Sequence, residues 1–308
     1  MNSCCLNFIP DSRNWCHEQW TALAKCDDSI CMKVARAITA PLLAIATIFA
    51  EILYFASWCM CKKERSPEEQ YGQLVRLHLP IDQNHFTQAR KHPSRNRFSN
   101  ILPNEPTRFK IAGEPDFYFN ANWVLGKKAI ACQGPLESEI DQFRKMIWEG
   151  EVSAIVMLAN PIEKERNKCS EYWKDPTLGE LQSEKVVFKE EGVQIVERKI
   201  EISNGSATKV ITQFHLQNWP DFGVVSPQIL ARIVRLAAKK GGKLLVHCSA
   251  GVGRTGTFLA AFQAYHQKTD DIFPIVRSLR DPHKGRVGLI QTPQQFALAS
   301  NAAKILIT

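Results

Sequence analysis

The stretch from Leu244 to Phe262 constrains this chain more than any other. The apolar run Leu244-Leu245-Val246 leads into His247-Cys248-Ser249-Ala250-Gly251-Val252-Gly253-Arg254-Thr255-Gly256, and Thr257-Phe258-Leu259-Ala260-Ala261-Phe262 follows. An apolar run, a glycine-rich break and a helix-like run read as strand, tight loop and helix. Such a loop turns backbone N–H groups inward at a helix N-terminus and so makes an anion site. Gly251, Gly253 and Gly256 permit positive φ and close approach by an anion. Arg254, separated from Cys248 by five residues, adds a planar fork that suits two phosphate oxygens. The same field depresses the Cys248 pKa and holds a thiolate ready. A thiolate at the floor of a phosphate cradle points to nucleophilic attack on phosphorus. The bland alternative is a structural cysteine beside a glycine turn; the glycines, the arginine and the strand-to-helix setting weigh against it. A nucleotide-binding loop needs G-x-x-x-x-G-K-[ST], and no lysine follows Gly256.

The segment H-C-S-A-G-V-G-R-T-G resembles the signature of the protein tyrosine phosphatases, the tyrosine-specific branch of the Cys-x5-Arg enzymes. Dual-specificity phosphatases share only the sparser Cys-x5-Arg frame. The similarity extends along the chain. Asn96-Arg97-Phe98 with Ile101-Leu102-Pro103 resembles N-R-Y…I-L-P, and Tyr118-Phe119-Asn120-Ala121-Asn122 resembles Y-I-N-A-N. Ala131-Cys132-Gln133-Gly134-Pro135 resembles A-S-Q-G-P. Glu163-Lys164, Lys168-Cys169 and Tyr172-Trp173 resemble E-K…K-C…Y-W. Trp219-Pro220-Asp221 resembles the mobile W-P-D loop, and Gln291-Thr292 with Gln295 the Q-T-x-x-Q loop. Order and spacing agree across about residues 94 to 298.

The resemblance implies a role for each matched residue. Cys248 is the nucleophile and Arg254 binds the phosphoryl oxygens. Ser249, Ala250, Gly251, Val252 and Gly253 form the cradle. Asp221 is the general acid that protonates the leaving phenolate, with Trp219 on the hinge side of its loop; taken alone, Asp221 after a proline reads as a turn aspartate. Gln291 positions the hydrolytic water with Gln295 in support, although Gln-Thr-Pro also reads as a helix cap. Thr255 assists departure of the thiolate, or is a helix-start hydroxyl. His247 orients the loop, or is a packed core histidine. Glu163 holds Arg254 in a fork; without the resemblance it is one charge in a mixed run. Three positions depart from the family pattern. Phe98 stands where a pocket-wall tyrosine is usual and can still stack on a phenyl ring. Asn100 replaces an acid that anchors the substrate main chain. Val225 stands where W-P-D-x-G-V-P has proline, with Pro227 two residues on.

The 308 residues, 23% charged and 44% hydrophobic, exclude a disordered chain. The formal charge is +8, and seven basic against six acidic side chains in residues 1–65 leave +7 to the rest. A basic catalytic region suits dianionic phosphate and acidic peptides. With no binding motif beside the charge, nucleic acid is not expected as a partner. Seven of the ten cysteines fall in the first 61 residues, and no C-x2-C pair with histidine partners suggests zinc. Neither metal nor cofactor is called for. A thiolate nucleophile needs reducing surroundings, which places the catalytic part in a cytosol.

Three segments follow: a Cys-rich stretch 1–36, an apolar run 37–61 and a catalytic domain 66–308. Glu51 is the single charge in 37–61. A run of this length can span a bilayer. One carboxyl near its middle costs about 2.5–3.5 kcal/mol, which the Leu, Ile and Phe neighbours offset. Lys62, Lys63 and Arg65 favour a cytosolic C-terminal side, and Cys59 and Cys61 are placed for acylation. A helix packed on the domain is the alternative. Ser66-Pro67-Glu68-Glu69 reads as a helix start. Ala154–Leu158, Lys185–Phe188 and Val210–Leu216 read as strands, and Gln228–Lys239 and Pro293–Ile305 as helices. The expected fold is α/β, with the resemblance adding a highly twisted mixed sheet, flanked by helices, that carries the phosphate loop between a central strand and a helix. The expected activity is phosphotyrosine hydrolysis in proteins through a phosphocysteine. A catalytically weak phosphotyrosine-binding module and a phosphoinositide phosphatase stand as alternatives.

Overall fold

A computed structural model describes Ile45, Ile48, Phe49 and residues 65–77, 83–190, 192–220 and 223–308. By its contacts the chain divides into two units, residues 1–65 and 66–308. In the first, Ile45, Ile48 and Phe49 are helical and each more than half exposed. They belong to the expected apolar run 37–61; the rest of that run, and the Cys-rich stretch 1–36, lie outside the described residues. Among the described residues no helix is long and apolar enough to cross a membrane, so the expected N-terminal hydrophobic helix gains no support there.

In the second unit, chain order gives α1 (Pro67–Arg76), α2 (Thr87–Lys91), β1 (Ala121–Val124), β2 (Ala129–Cys132), α3 (Ile140–Glu149), β3 (Val152–Met157), β4 (Ile162–Glu163) and β5 (Arg166–Asn167). Then come β6 (Glu180–Glu190), β7 (Val193–Ser203), β8 (Thr208–Gln217), α4 (Pro227–Lys240), β9 (Lys243–His247), α5 (Gly253–Gln267), α6 (Phe273–Arg280) and α7 (Pro293–Ile307). Seven strands form one mixed sheet in the order β1-β2-β9-β3-β8-β7-β6, while β4 and β5 make a separate hairpin. Strands β2, β9, β3 and β8 run parallel; β1, β7 and β6 are antiparallel to their neighbours.

The parallel strands are buried on both faces, and their alternation assigns side chains to two cores. Leu244 and Val246 of β9, with Ala154 and Val156 of β3, pack against α4, α5 and α7. Leu245, Ile155 and Met157 pack on the other side with Phe143 and Met146 of α3. Double burial explains why these strands read as continuous apolar runs. Three helices begin where the sequence provides side-chain caps. Ser66 accepts from the Glu69 N–H while the Glu69 carboxylate accepts from the Ser66 N–H, a reciprocal cap on α1 worth about 1 kcal/mol. Ser226 caps α4 ahead of Pro227, and Thr292 caps α7 ahead of Pro293.

Helix α5, like α2, α3 and α6, has no side-chain cap, and its first residues Gly253, Arg254 and Thr255 are buried. It starts where β9 ends, at the carboxyl edge of the parallel strands, the edge at which open α/β sheets bind ligands. The uncapped N–H groups of a buried helix start are donors for an anion.

Candidate active site

Strand β9 delivers Cys248 to the base of the loop that enters α5, where its side chain is 4% exposed. Burial alone disfavours a thiolate. The Arg254 guanidinium, the Thr255 hydroxyl and the backbone N–H groups of Thr255 and Gly251 outweigh it, and the Cys248 pKa falls below the ordinary thiol value. Two other buried thiols provide the contrast. Burial drives Cys132 and Cys169 well above the ordinary value. Of these three thiols only Cys248 is shifted toward the thiolate, the form in which a cysteine is reactive. The Thr255 hydroxyl makes no hydrogen bond of ordinary geometry, and it adds to the larger effect of Arg254 on the sulfur.

The loop needs glycine at a specific place. Gly251 has φ of 73°, and a Cβ there would fall 2.0 Å from the Cys132 carbonyl oxygen. No other residue fits without moving β2. On the neighbouring side, the Gly134 N–H donates to the Ser249 carbonyl at 2.9 Å.

Arg254, almost fully buried, is gripped in the expected fork. Its Nη1 donates to Glu163 Oε1 at 2.7 Å and its Nη2 to Glu163 Oε2 at 3.2 Å. Nη1 also donates to the Trp219 carbonyl at 2.8 Å. Glu163 ends β4, and its Oε1 also accepts from the Asn160 N–H at 3.0 Å. The guanidinium plane is thus fixed before substrate arrives, as a transition-state clamp requires. Trp219 is buried, and its indole N–H donates to the Gly223 carbonyl at 3.1 Å. Asp221 lies outside the described residues. Val225, the departure from the family's proline, is buried in the core, and the displaced Pro227 opens α4.

Gln291 and Gln295 both meet the start of α5. A Cβ at Gly253 would fall 2.6 Å from Gln291 Oε1 and 3.0 Å from Gln295 Nε2. The Gln291 N–H donates to Gln295 Oε1 at 2.9 Å, so one amide holds the other's backbone. Ile290, just before, has φ of 63°, a strained left-handed conformation for a β-branched residue. Its N–H donates to the Val252 carbonyl at 3.0 Å, which ties the strained residue to the cradle. Phe98 and Asn100 are exposed on the segment after α2. That segment is tethered to the cradle through Arg97 and Gln133. The Arg97 N–H donates to Gln133 Oε1 at 2.9 Å, and Arg97 Nε to the Gly134 carbonyl at 3.1 Å. Phe98 is the next residue along that tethered segment.

His247 is fully buried. Its Nδ1 meets the Cys248 carbonyl at 3.1 Å and its Nε2 the Tyr172 hydroxyl at 2.8 Å. Burial lowers its pKa to about 4, so the ring is neutral. The residue is packed in the core and also contacts the Cys248 carbonyl.

Arg286 was not expected. It is fully buried, and four bonds fix it behind the loop. Nε donates to the Gly251 carbonyl at 3.0 Å and Nη2 to the Ala250 carbonyl at 3.1 Å. Nη1 donates to Asn122 Oδ1 at 2.9 Å and Nη2 to Asn120 Oδ1 at 2.7 Å. Burial draws its pKa down to about 10, and it remains charged at neutral pH. With two loop carbonyls turned back onto Arg286, the loop N–H groups are left to face inward. Arg286→Met strands several buried acceptors at about 1–3 kcal/mol each. The expected result is a urea-unfolding free energy lowered by at least about 2 kcal/mol, and an unchanged midpoint would refute the buttress.

Comparison with known proteins gives a consistent neighbourhood. A family model described as Protein-tyrosine phosphatase matches residues 92–304. The chain is 36% identical over 241 residues to receptor-type tyrosine-protein phosphatase zeta of Rattus norvegicus, covering 67% of this chain and 10% of that protein. It is 32% identical over 261 residues to receptor-type tyrosine-protein phosphatase eta of Mus musculus, covering 78% and 21%. It is 34% identical over 229 residues to human tyrosine-protein phosphatase non-receptor type 2, covering 66% and 54%. The chain thus spans about a tenth to a fifth of these receptor-type relatives and about half of the non-receptor one.

Proposed function

This chain belongs to the protein-tyrosine phosphatase family, and from that premise we propose that it hydrolyses phosphotyrosine in proteins through a phosphocysteine intermediate. The observation that carries the reading is the contrast among three buried thiols, of which Cys248 alone has a lowered pKa, beside a guanidinium locked by Glu163. The Cys248 thiolate attacks phosphorus in line, forms the S–P bond and breaks the bond to the phenolic oxygen. Arg254 and the cradle N–H groups hold the equatorial oxygens as charge spreads over them. Asp221 protonates the departing phenolate, which is otherwise a poor leaving group. A water placed by Gln291 then attacks phosphorus, gives up a proton to Asp221, and releases phosphate and the thiolate, with Thr255 beside the sulfur. Phe98, which matches the family's pocket-wall tyrosine, favours a phosphoaryl group over a phosphoinositide. The deciding measurement is phosphate release from phosphotyrosyl peptide, phosphoseryl peptide and phosphoinositide, with Cys248→Ser as control. Release confined to the phosphotyrosyl peptide is expected; preference for either other substrate overturns the reading.

We also propose that residues 37–61 bring the protein to a membrane with the catalytic unit in the cytosol. In support, Ile45, Ile48 and Phe49 are exposed at helical spacing, Lys62, Lys63 and Arg65 follow the run, and Cys248 chemistry needs reducing surroundings. The full chain is expected to sediment with membranes and resist carbonate extraction, while a chain starting at Ser66 stays soluble and active. A freely soluble full chain would show the run to be otherwise occupied.

A further inference from the structure

A buried hydrogen-bond chain runs from the edge of the sheet to the backbone of the nucleophile. Glu184 on β6 pairs with Arg198 Nε on β7. Arg198 Nη1 donates to Gln213 Oε1 on β8 at 2.8 Å. Gln213 Nε2 donates to the Tyr172 hydroxyl at 2.6 Å. The Tyr172 hydroxyl meets His247 Nε2 at 2.8 Å, and His247 Nδ1 meets the Cys248 carbonyl at 3.1 Å. Arg198, Gln213, Tyr172 and His247 are all buried.

The polarity of this chain follows from its ends. A guanidinium only donates. Arg198 therefore requires the oxygen of the Gln213 amide, and the Gln213 NH2 must face Tyr172. The Tyr172 oxygen receives that bond, which leaves its own proton to donate onward. The acceptors within reach are His247 Nε2 and the Met157 thioether at 3.7 Å, and the imidazole nitrogen is the stronger. At the far end a carbonyl only accepts, so Nδ1 must carry the His247 proton. Arg198 fixes a second histidine by the same rule. Its Nη1 lies 3.2 Å from His215 Nδ1, and His215 Nε2 donates to the Ala159 carbonyl at 2.9 Å.

We infer that Gln213, oriented by Arg198, is a positioning residue that holds His247 as the Nδ1–H tautomer donating to the Cys248 carbonyl; its kinetic consequence rests on the phosphatase reading above. An N–H aimed at that carbonyl keeps the Cys248 peptide in the orientation that leaves the sulfur facing Arg254 and the loop N–H groups. The charged and titratable groups facing His247 are Tyr172, Arg97 and His215. Those facing Cys248 are Arg254, Thr255, Arg286, Cys132 and Cys169. Of these groups, Gln213 is hydrogen-bonded to Tyr172, and a substitution there acts through that bond.

Gln213→Glu is near-isosteric and reverses the chain. Beside Arg198 the new carboxyl stays ionised, so it accepts from both neighbours. Tyr172 must then donate to it, and His247 Nε2 must become a donor, as the other tautomer or as imidazolium. Gln213→Leu removes the polarity without a new charge. The test is imidazole 15N NMR of the full-length protein, with kcat/KM against pH on a phosphotyrosyl peptide. Expected is an unprotonated Nε2 in the native protein and a protonated Nε2 in Gln213→Glu. In Gln213→Leu the acid limb of kcat/KM moves up by about 0.5 pH unit, while kcat on the plateau changes less than about twofold. A native Nε2 that carries the proton overturns the inference, as does an unmoved acid limb in Gln213→Leu. If Gln213→Glu fails to fold, the native spectrum and Gln213→Leu decide. Absence of turnover on phosphotyrosine would sink the phosphatase reading and leave the tautomer assignment standing on its spectrum.

Discussion

Cys248→Ser is expected to abolish turnover while phosphotyrosyl peptide binding persists. A serine hydroxyl is essentially un-ionised at neutral pH, and the Arg254 field that lowers the Cys248 pKa acts on a hydroxyl that starts far higher. Removal of the nucleophile from a covalent catalyst costs on the order of 10⁶ in kcat. Binding depends on other groups: Arg254, locked by Glu163 and Trp219, and the N–H groups at the uncapped start of α5. Loss of the thiolate also removes a negative charge from the floor of a dianion site, so affinity should be equal or tighter. Calorimetric titration with a phosphotyrosyl peptide measures binding, and phosphate release measures turnover. Appreciable turnover by a clean Cys248→Ser preparation would move the nucleophile elsewhere; loss of binding would show that the cradle depends on the sulfur.

The parts of this site that could be read from the chain are those built by neighbours in sequence. The strand, loop and helix around Cys248 follow one another between Lys243 and Gln267, and each leaves a local mark: a doubly buried apolar run, then glycines, then a helical run. Arg286 leaves none. Its partners lie 35 and 36 residues away on the loop and 164 and 166 residues away at Asn122 and Asn120. In isolation it is one more basic residue in a turn, and arginine is seldom fully buried. The available signal was the alternation of Asn120 and Asn122, two polar side chains pointing the same way at a strand start. Strand β6 shows the opposite failure. Only Lys185–Phe188 reads as strand, yet pairing with β7 extends it to Glu180–Glu190. Nearly all of β6 is exposed, so no apolar alternation marks its length. The Gln213 chain was hidden for a third reason. Gln213 sits in an apolar strand pattern, and the property that matters is which end of its amide faces Arg198.

Asp221→Ala is expected to lower kcat by about 10²–10⁴ on phosphotyrosyl substrates, the usual worth of a positioned general acid. The described residues on either side of Asp221 are anchored to the site. The Trp219 carbonyl accepts from Arg254, its indole donates to Gly223, and the Gly223 N–H donates to the Pro220 carbonyl at 3.1 Å. The bond from Arg254 to Trp219 ties the described flank to the residue proposed to clamp the phosphoryl group, which supports the role proposed for Asp221. The loss must depend on the leaving group. A tyrosyl phenolate has a conjugate-acid pKa of about 10 and needs the proton, whereas a nitrophenolate departs without it. The variant should therefore approach native rates as the leaving group becomes more acidic. The basic limb of the native kcat profile, which reports deprotonation of the acid, should disappear. Phosphate release across a series of substituted aryl phosphates measures both effects. A uniform loss across the series, with the basic limb intact, would assign the proton to another group and leave Asp221 a structural part of its loop.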